Sequence, residues 1–279
     1  MKGKINPKIL LVGCGKMGGA LLSGWLDQRQ ESSNINVVEP QKNNQAEFIG
    51  RNVTLFNSLD EIDIDYNPDF VLFAVKPQIM DSVIPAYKRF SDNSTFISIA
   101  AGKTINYFEK KLGKHCAIIR AMPNTPAAIK RGITVACGNS HVEKPVQLSC
   151  LTLLAAVGKV CWLDDEKLID AVTAISGSGP AYVFLLAETM IKAAIDAGLE
   201  HQIARDLTIH TIAGSGALLQ KSADNASTLR ENVASPGGTT EAALSILTGK
   251  NGMQPLISKA VGRAIMRSKD LDAKISSNK

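Results

Sequence analysis

The sequence predicts an α/β protein of two domains, a doubly wound parallel sheet followed by an all-helical half. Three observations carry this. The buried apolar run Ile9–Val12 ends in glycines and opens into a helical pattern from Lys16. Apolar runs then alternate with amphipathic stretches, as in a parallel sheet with helical crossovers. From Glu166 onward strand signals vanish and long alanine-rich stretches take over, so the domains are read as 1–165 and 166–279.

The elements follow in order. In "KILLVGCGKMGGALLSGWL" a strand leads through a glycine turn into a helix, and "INVVEP" is a second strand ending at Glu39. "PDFVLFAVKP" predicts a strand over Phe70–Val75 that stops at Lys76-Pro77. Further strands are read at Phe96–Ile99 and Ala117–Arg120, with helices around Ile79–Phe90 and Ile105–Leu112. A late strand pair, Ile133–Cys137 and Val160–Leu163, flanks an amphipathic helix at Val146–Val157 and closes the domain. In the second half a helix is predicted over Pro180–Ala197, with proline in its first turn and Gly198 as its stop. "HQIARDLTIHTIAGSGALLQKS" is a further helix, in which Gly214 and Gly216 permit tight contact. Helices apolar nearly all round need burial on several sides. A small helical half has too little interior for that, so a partner subunit is expected.

Composition narrows the function classes. A chain of 279 residues, 45% hydrophobic and 20% charged, fits a soluble globular protein. The net charge of +5 is scattered, without the basic stripe of a nucleic-acid or anionic-membrane partner. The five cysteines form no C-x-x-C pair and no metal-ligand spacing, and no signal sequence is read, so reduced thiols and a cytoplasmic location are expected.

Gly13, Gly15 and Gly18 form G-x-G-x-x-G between strand and helix, the context that makes this motif informative. The first glycine allows the tight turn, the second admits a pyrophosphate to the backbone, and the third lets helix pack on strand. Lys16 and Met17 open the helix, whose N-terminal N–H groups and dipole favour phosphate. Cys14 reads as a small spacer. Glu39 stands where an acid binds the adenosine ribose of NAD, yet Lys42, Asn43 and Asn44 just beyond can receive a 2′-phosphate. The cofactor is therefore NADPH or NADH. Ala74, Val75, Lys76, Pro77, Ala100 and Asn124 lie at strand carboxyl ends, where ligands of such sheets bind. The Lys76 ammonium can reach the nicotinamide ribose or a substrate carboxylate, and the Asn124 amide offers both donor and acceptor to the nicotinamide.

The stretch "ASPGGTTEAAL" interrupts helical patterning that resumes at once. In a helix each glycine costs about 1 kcal/mol and proline about 3 kcal/mol relative to alanine, so this break has a purpose. Successive N–H groups of Gly237, Gly238 and Thr239, at the start of the helix into Leu247, predict a concave anion site.

"GCGKMGGA", "AVKPQ", "SIAAGK", "RAMPNTPA", "SGSGPAYVF" and "SPGGTTEAAL", in this order and spacing, resemble pyrroline-5-carboxylate reductases over nearly the whole chain. The resemblance implies a Rossmann domain followed by a helical dimerisation domain, and hydride transfer to the imine carbon of pyrroline-5-carboxylate to give proline. It implies interlaced dimers, in some members rings of dimers, with sites that include helices of the partner. It also assigns the substrate carboxylate to the loop Ser235–Thr240, through Ser235, Gly237, Gly238 and Thr239, with the Thr240 hydroxyl on the ring nitrogen. A β-hydroxyacid dehydrogenase would need a lysine on the long interdomain helix, but Lys192 lacks the Gly and Asn neighbours of that family. A binding scaffold without turnover would leave the second anion loop unexplained. None of the four histidines lies in a glycine loop or strand-end motif, so none is read as a general acid, and no metal is expected.

Overall fold

Each residue of the first strand, β1 (Ile9–Val12), is at most 2% exposed, because it lies in mid-sheet with helices on both faces. The computed structural model describes residues 6–28 and 32–277, and divides into two units: Met1–Gly177 with Ala264–Lys279, and Ser178–Arg263.

In the first unit β2 (Ile35–Val38), β3 (Thr54–Phe56), β4 (Phe70–Phe73), β5 (Thr95–Ser98), β6 (Ile118–Met122), β7 (Gly132–Gly138) and β8 (Gly158–Trp162) join β1 in one sheet, ordered β3-β2-β1-β4-β5-β6-β7-β8. Ile9 is in register with Ile35 on one side and Phe70 on the other, so chain order reverses at β1. That reversal opens a crevice at the carboxyl ends of β1 and β4, the usual ligand position of this architecture.

Alternate residues of the strands feed two cores. On one face Ile9, Leu11, Val37 and Leu72 pack with Leu21 and Trp25 of α1 (Lys16–Asp27) and with Leu153 of α3 (Lys144–Leu154). The Trp25 indole N–H donates to the Leu153 carbonyl at 2.8 Å, which satisfies a polar atom that burial would otherwise strand. On the other face Val71, Phe73 and Phe96 pack with Phe108 of α2 (Ile105–Leu112), and Phe73 stacks on both Phe96 and Phe108. Each such buried side chain contributes about 1.5–3 kcal/mol. A half-buried ion pair, from the buried Arg120 to Glu166 at 2.9 Å, ties β6 to the turn that leaves the sheet. Ser268, on the last helix, donates to Asp170 at 2.7 Å beside it.

The predicted fold class holds, with three local corrections. Thr54–Phe56 was not expected as a strand, being only three residues long with an exposed threonine at its start. β7 runs antiparallel to β6, because the five-residue 3₁₀ turn Thr125–Ile129 is too short for a crossover. The helix read over Ile79–Phe90 is one α-turn, Met80–Val83, followed by the 3₁₀ stretch Ile84–Phe90. Pro85 there has no N–H to give an α-helix.

The second unit is helical: α4 (Gly179–Asp196), α5 (His201–Lys221), α6 (Ala226–Val233), α7 (Thr239–Leu247) and the part of α8 (Met253–Ser277) up to Arg263. Pro180 lies in the first turn of α4, and α5 is capped by the Glu200 carboxylate, which accepts from Ile203 N–H at 3.3 Å. Within α4 and α5 only Ala204 and Thr208 are buried, whereas Phe184 is 66% exposed and Leu185 and Leu218 are similarly open.

Candidate active site

The glycine turn after β1 is built by its neighbours. Gly13 has φ +92°, a conformation that side chains resist, and a Cβ on it would lie 2.7 Å from Val75 Cγ1. Its N–H donates to the Val38 carbonyl at 2.8 Å, locking the turn to β2. A Cβ on Gly18 would overlap the Gly13 carbonyl oxygen. Gly15 differs: its backbone is ordinary (φ −68°) and a Cβ there would meet nothing within 4 Å. The fold explains two of the three glycines, and the third leaves open the approach that a pyrophosphate needs. Gly15 is also the N-cap of α1 and provides no side-chain cap, so the helix's first N–H groups stay available, with no acid in the first turn. These residues fit a dinucleotide.

Beside this turn lies a depression of about 310 Å³, lined among others by Gly15, Lys16, Ser23, Asn43, Asn44 and Ala128. Asn43 and Asn44, read from the sequence as able to receive a 2′-phosphate, are among the residues that line it. Ser23 is two helical turns beyond Lys16 and was missed, although helical spacing pointed to it; Ala128 comes from far along the chain and left no such signal. Glu39 is 5% exposed, and its carboxylate accepts from Cys14 N–H at 2.7 Å and Gln41 N–H at 2.9 Å. It therefore holds the glycine turn as well as the end of β2. Burial, reinforced by the Glu39 charge, pushes the Cys14 thiol up to about 12, so it is an inert spacer at neutral pH.

The strand-end residues stand as follows. Ala74 N–H donates to the Val12 carbonyl at 2.8 Å, and Val75 is partly buried in the second core. Lys76 is exposed just beyond β4, with Pro77 opening the turn after it. Ala100 is buried at the end of β5, and Met17 packs on the first core. The Asn124 side-chain oxygen accepts from Ile133 N–H at 3.0 Å. That bond gives the residue a structural task the sequence did not reveal, and leaves its NH₂ group for a ligand.

In the second unit Ser235-Pro236-Gly237-Gly238 is a β-turn. Gly238 N–H donates to the Ser235 carbonyl at 2.9 Å, and Gly237 has φ +70°. Proline second and a left-handed glycine third are the signature of a type II turn. Gly237 N–H donates to the Glu241 carboxylate at 2.7 Å. This corrects the expected anion site, because two of its three backbone donors, Gly237 and Gly238, are already engaged. The donors that remain belong to the first turn of α7, at Thr239 and Thr240, where the N-cap Gly238 contributes no side chain. Ser235 opens the loop and Thr240 lies in that first helical turn, each carrying a hydroxyl. No cluster of metal-ligating side chains is present among the described residues.

A family model described as pyrroline-5-carboxylate reductase dimerisation matches residues 166–271, and one described as NADP oxidoreductase, coenzyme F420-dependent, matches residues 8–102. The chain is 36% identical to a pyrroline-5-carboxylate reductase of Pseudomonas aeruginosa, across 95% of this chain and 97% of that one. The structure is similar to a pyrroline-5-carboxylate reductase from Coxiella burnetii (TM-score 0.89, 32% identity, 95% of this chain and 98% of that one). It is also similar to a Plasmodium falciparum pyrroline carboxylate reductase with NADP bound (TM-score 0.83, 31% identity, 97% of this chain and 100% of that one). A prephenate dehydrogenase from Aquifex aeolicus, at 16% identity and TM-score 0.51, shares the fold alone. Glycine turn, helical half and near-complete coverage agree: the chain belongs to the pyrroline-5-carboxylate reductase family.

Proposed function

We propose that the protein reduces pyrroline-5-carboxylate to L-proline with NADPH or NADH. The observation that carries this is the pair of anion-receptive turns, one at Gly15 open to a pyrophosphate and one at the start of α7 open to a carboxylate. A dinucleotide-binding scaffold needs only the first.

The cofactor, when bound, supplies the hydride. The chain's own residues bind and orient. Gly13, Gly15, Lys16, Met17 and Gly18 form the turn and helix start that receive the pyrophosphate. Glu39 has used two of its four lone-pair sites on backbone N–H groups, and the other two suit the ribose hydroxyls. Ala74, Val75, Pro77 and Ala100 border the nicotinamide, to which Asn124 offers its NH₂ group. Lys76 extends its ammonium to the nicotinamide ribose or the substrate carboxylate.

Ser235, Gly237, Gly238, Thr239 and Thr240 make the substrate loop. Gly237 and Gly238 give it shape, and the Thr239 and Thr240 N–H groups with the Ser235 hydroxyl hold the carboxylate. Thr240 Oγ1 hydrogen-bonds the ring nitrogen, which favours the protonated imine, the better hydride acceptor. With a hydride supplied to the imine carbon, the ring nitrogen on Thr240 Oγ1 would keep its proton as the amine of proline. Placing two bound reactants face to face supplies about 7–11 kcal/mol of the barrier reduction, so no strong acid is required.

The working unit in this reading is a homodimer through the helical half, and dimers assemble further into a ring. Exposed Phe184, Leu185 and Leu218 support the dimer, as do Gly214 and Gly216, where a Cβ would meet nothing within 4 Å. The stretch Glu166–Asp196 is long and apolar enough to cross a membrane by length and composition. In this reading a second copy covers it, since it belongs to the matched dimerisation region. Five cysteines, all free, suit the reducing cytoplasm.

The test is loss of reduced-nicotinamide absorbance that depends on pyrroline-5-carboxylate, with NADPH and NADH titrated separately. Turnover with β-hydroxyacids and none with the imine would overturn the reading.

A further inference from the structure

We propose that Glu241 is a positioning residue that sets the peptide orientation of the substrate loop; this rests on the reading of that loop given above. The Ser235–Gly238 turn can close in two ways that differ by a flip of its central peptide, between Pro236 and Gly237. In the type II form the third residue has positive φ, and Gly237 has φ +70°. The hydrogen bond that closes the turn, Gly238 N–H to the Ser235 carbonyl, belongs to both forms and does not choose between them.

The Pro-Gly pair favours the type II form by itself, and the N–H of the central peptide adds to that choice. Gly237 N–H donates to Glu241 Oε2 at 2.7 Å, a charge-assisted bond. Glu241 sits in the first turn of α7, so its carboxylate is anchored to the helix whose N-terminus forms the anion site. Holding the N–H on that side turns the Pro236 carbonyl to the opposite one. A flipped peptide would exchange the two and turn a carbonyl dipole toward the Glu241 carboxylate, at the first turn of α7 that forms the proposed anion site. Space around the Gly237 Cα is open, since a Cβ there would meet nothing within 4 Å. The bond from Glu241 therefore adds to the turn's own preference in holding the peptide.

The acceptor oxygen is the part that positions the loop; the charge shortens the bond but also repels a carboxylate bound close by. Two substitutions separate these. Glu241→Gln keeps an acceptor oxygen for Gly237 N–H and removes the charge; Glu241→Ala removes both. In the dimeric enzyme, Glu241→Ala should raise KM for pyrroline-5-carboxylate about ten-fold, as expected for losing a charged hydrogen bond. The nicotinamide cofactor KM and kcat should stay within about two-fold. Glu241→Gln should restore KM to within about two-fold of the parent. Hydrogen–deuterium exchange of the peptide holding Gly237 gives a readout free of turnover: faster in Glu241→Ala, near parental in Glu241→Gln. Unchanged exchange in Glu241→Ala, or a Glu241→Gln enzyme as impaired as Glu241→Ala, overturns the inference. Absence of imine-dependent turnover in the unsubstituted enzyme would instead overturn the proposed reaction, and the exchange result would still decide whether Glu241 holds the loop.

Discussion

The two units treat their apolar residues differently. In the first, β1, β4 and β5 are buried along their whole length, and both faces of the sheet are sealed by its own helices and turns. In the second, α4 buries none of its residues, and Ile246 of α7 is 76% exposed. A parallel sheet closes its core within one chain because its crossovers lie on both faces. A few helices cannot, and those that remain apolar all round wait for another surface. The first unit thus closes its own core, whereas the second leaves an apolar surface open within the region that matches the dimerisation family model.

The largest expected effect tests that contrast. Phe184→Asp would place an unpaired carboxylate in the proposed dimer interface, a cost of several kcal/mol and about a thousand-fold in dimer dissociation. Sedimentation should show monomer and the assay no turnover, while the first unit still binds nicotinamide cofactor. A monomer that remains active would break the comparison.

Within the first unit, two glycines of one turn should part company. Gly18→Val forces a side chain onto the Gly13 carbonyl and should lower the melting temperature by about 5 °C or more. Gly15→Val should leave melting unchanged and weaken cofactor binding about ten-fold or more, since its side chain meets only the ligand's path. Equal melting losses would mean that Gly15 serves the fold.

Thr240→Ala should lower kcat/KM about ten- to a hundred-fold, the value of a hydrogen bond to a charged group. The loss should grow with pH, because the free imine loses its proton and depends more on the enzyme. Thr240→Ser should retain most activity and Thr239→Ala should be mild.

The smallest effect sharpens the contrast by staying absent. All five cysteines lie in the first unit, four of them buried. Cys14 and Cys137 are both pushed up to about 12, first by burial, so they stay protonated as pH rises until near that value. Thiol labelling at pH 8 should spare both. The same should hold in Phe184→Asp, if the first unit keeps its fold without the dimer.

The sequence revealed most of this architecture where chemistry and packing coincide. Ile9–Val12, the glycine turn and the helix ending before Gly198 appear as read, because each is set by local pattern. Strand direction was not legible: the β6–β7 pairing depends on the length of Thr125–Ile129, and apolar runs look the same either way. The loop Ser235–Thr240 was read as an anion site through Gly237, Gly238 and Thr239, but the Gly237 and Gly238 N–H groups are already engaged. The Pro-Gly pair signalled a type II turn, and that turn consumes the Gly238 N–H. The bond from Glu241 back to Gly237 left no sequence signal beyond an acid in the first helical turn.

Glu39 has a consequence for engineering. A designer wishing to change coenzyme choice would begin with the acid at the end of β2. Here that acid is a staple between two loops, joining Cys14 N–H to Gln41 N–H through one buried carboxylate. Replacing it with a small neutral residue, to make room for a 2′-phosphate, would orphan both N–H groups and loosen the glycine turn proposed to receive the pyrophosphate. In that reading selectivity and affinity are wired to the same side chain. Altering one while keeping the other calls for changes at Asn43 or Asn44, on the rim of the depression.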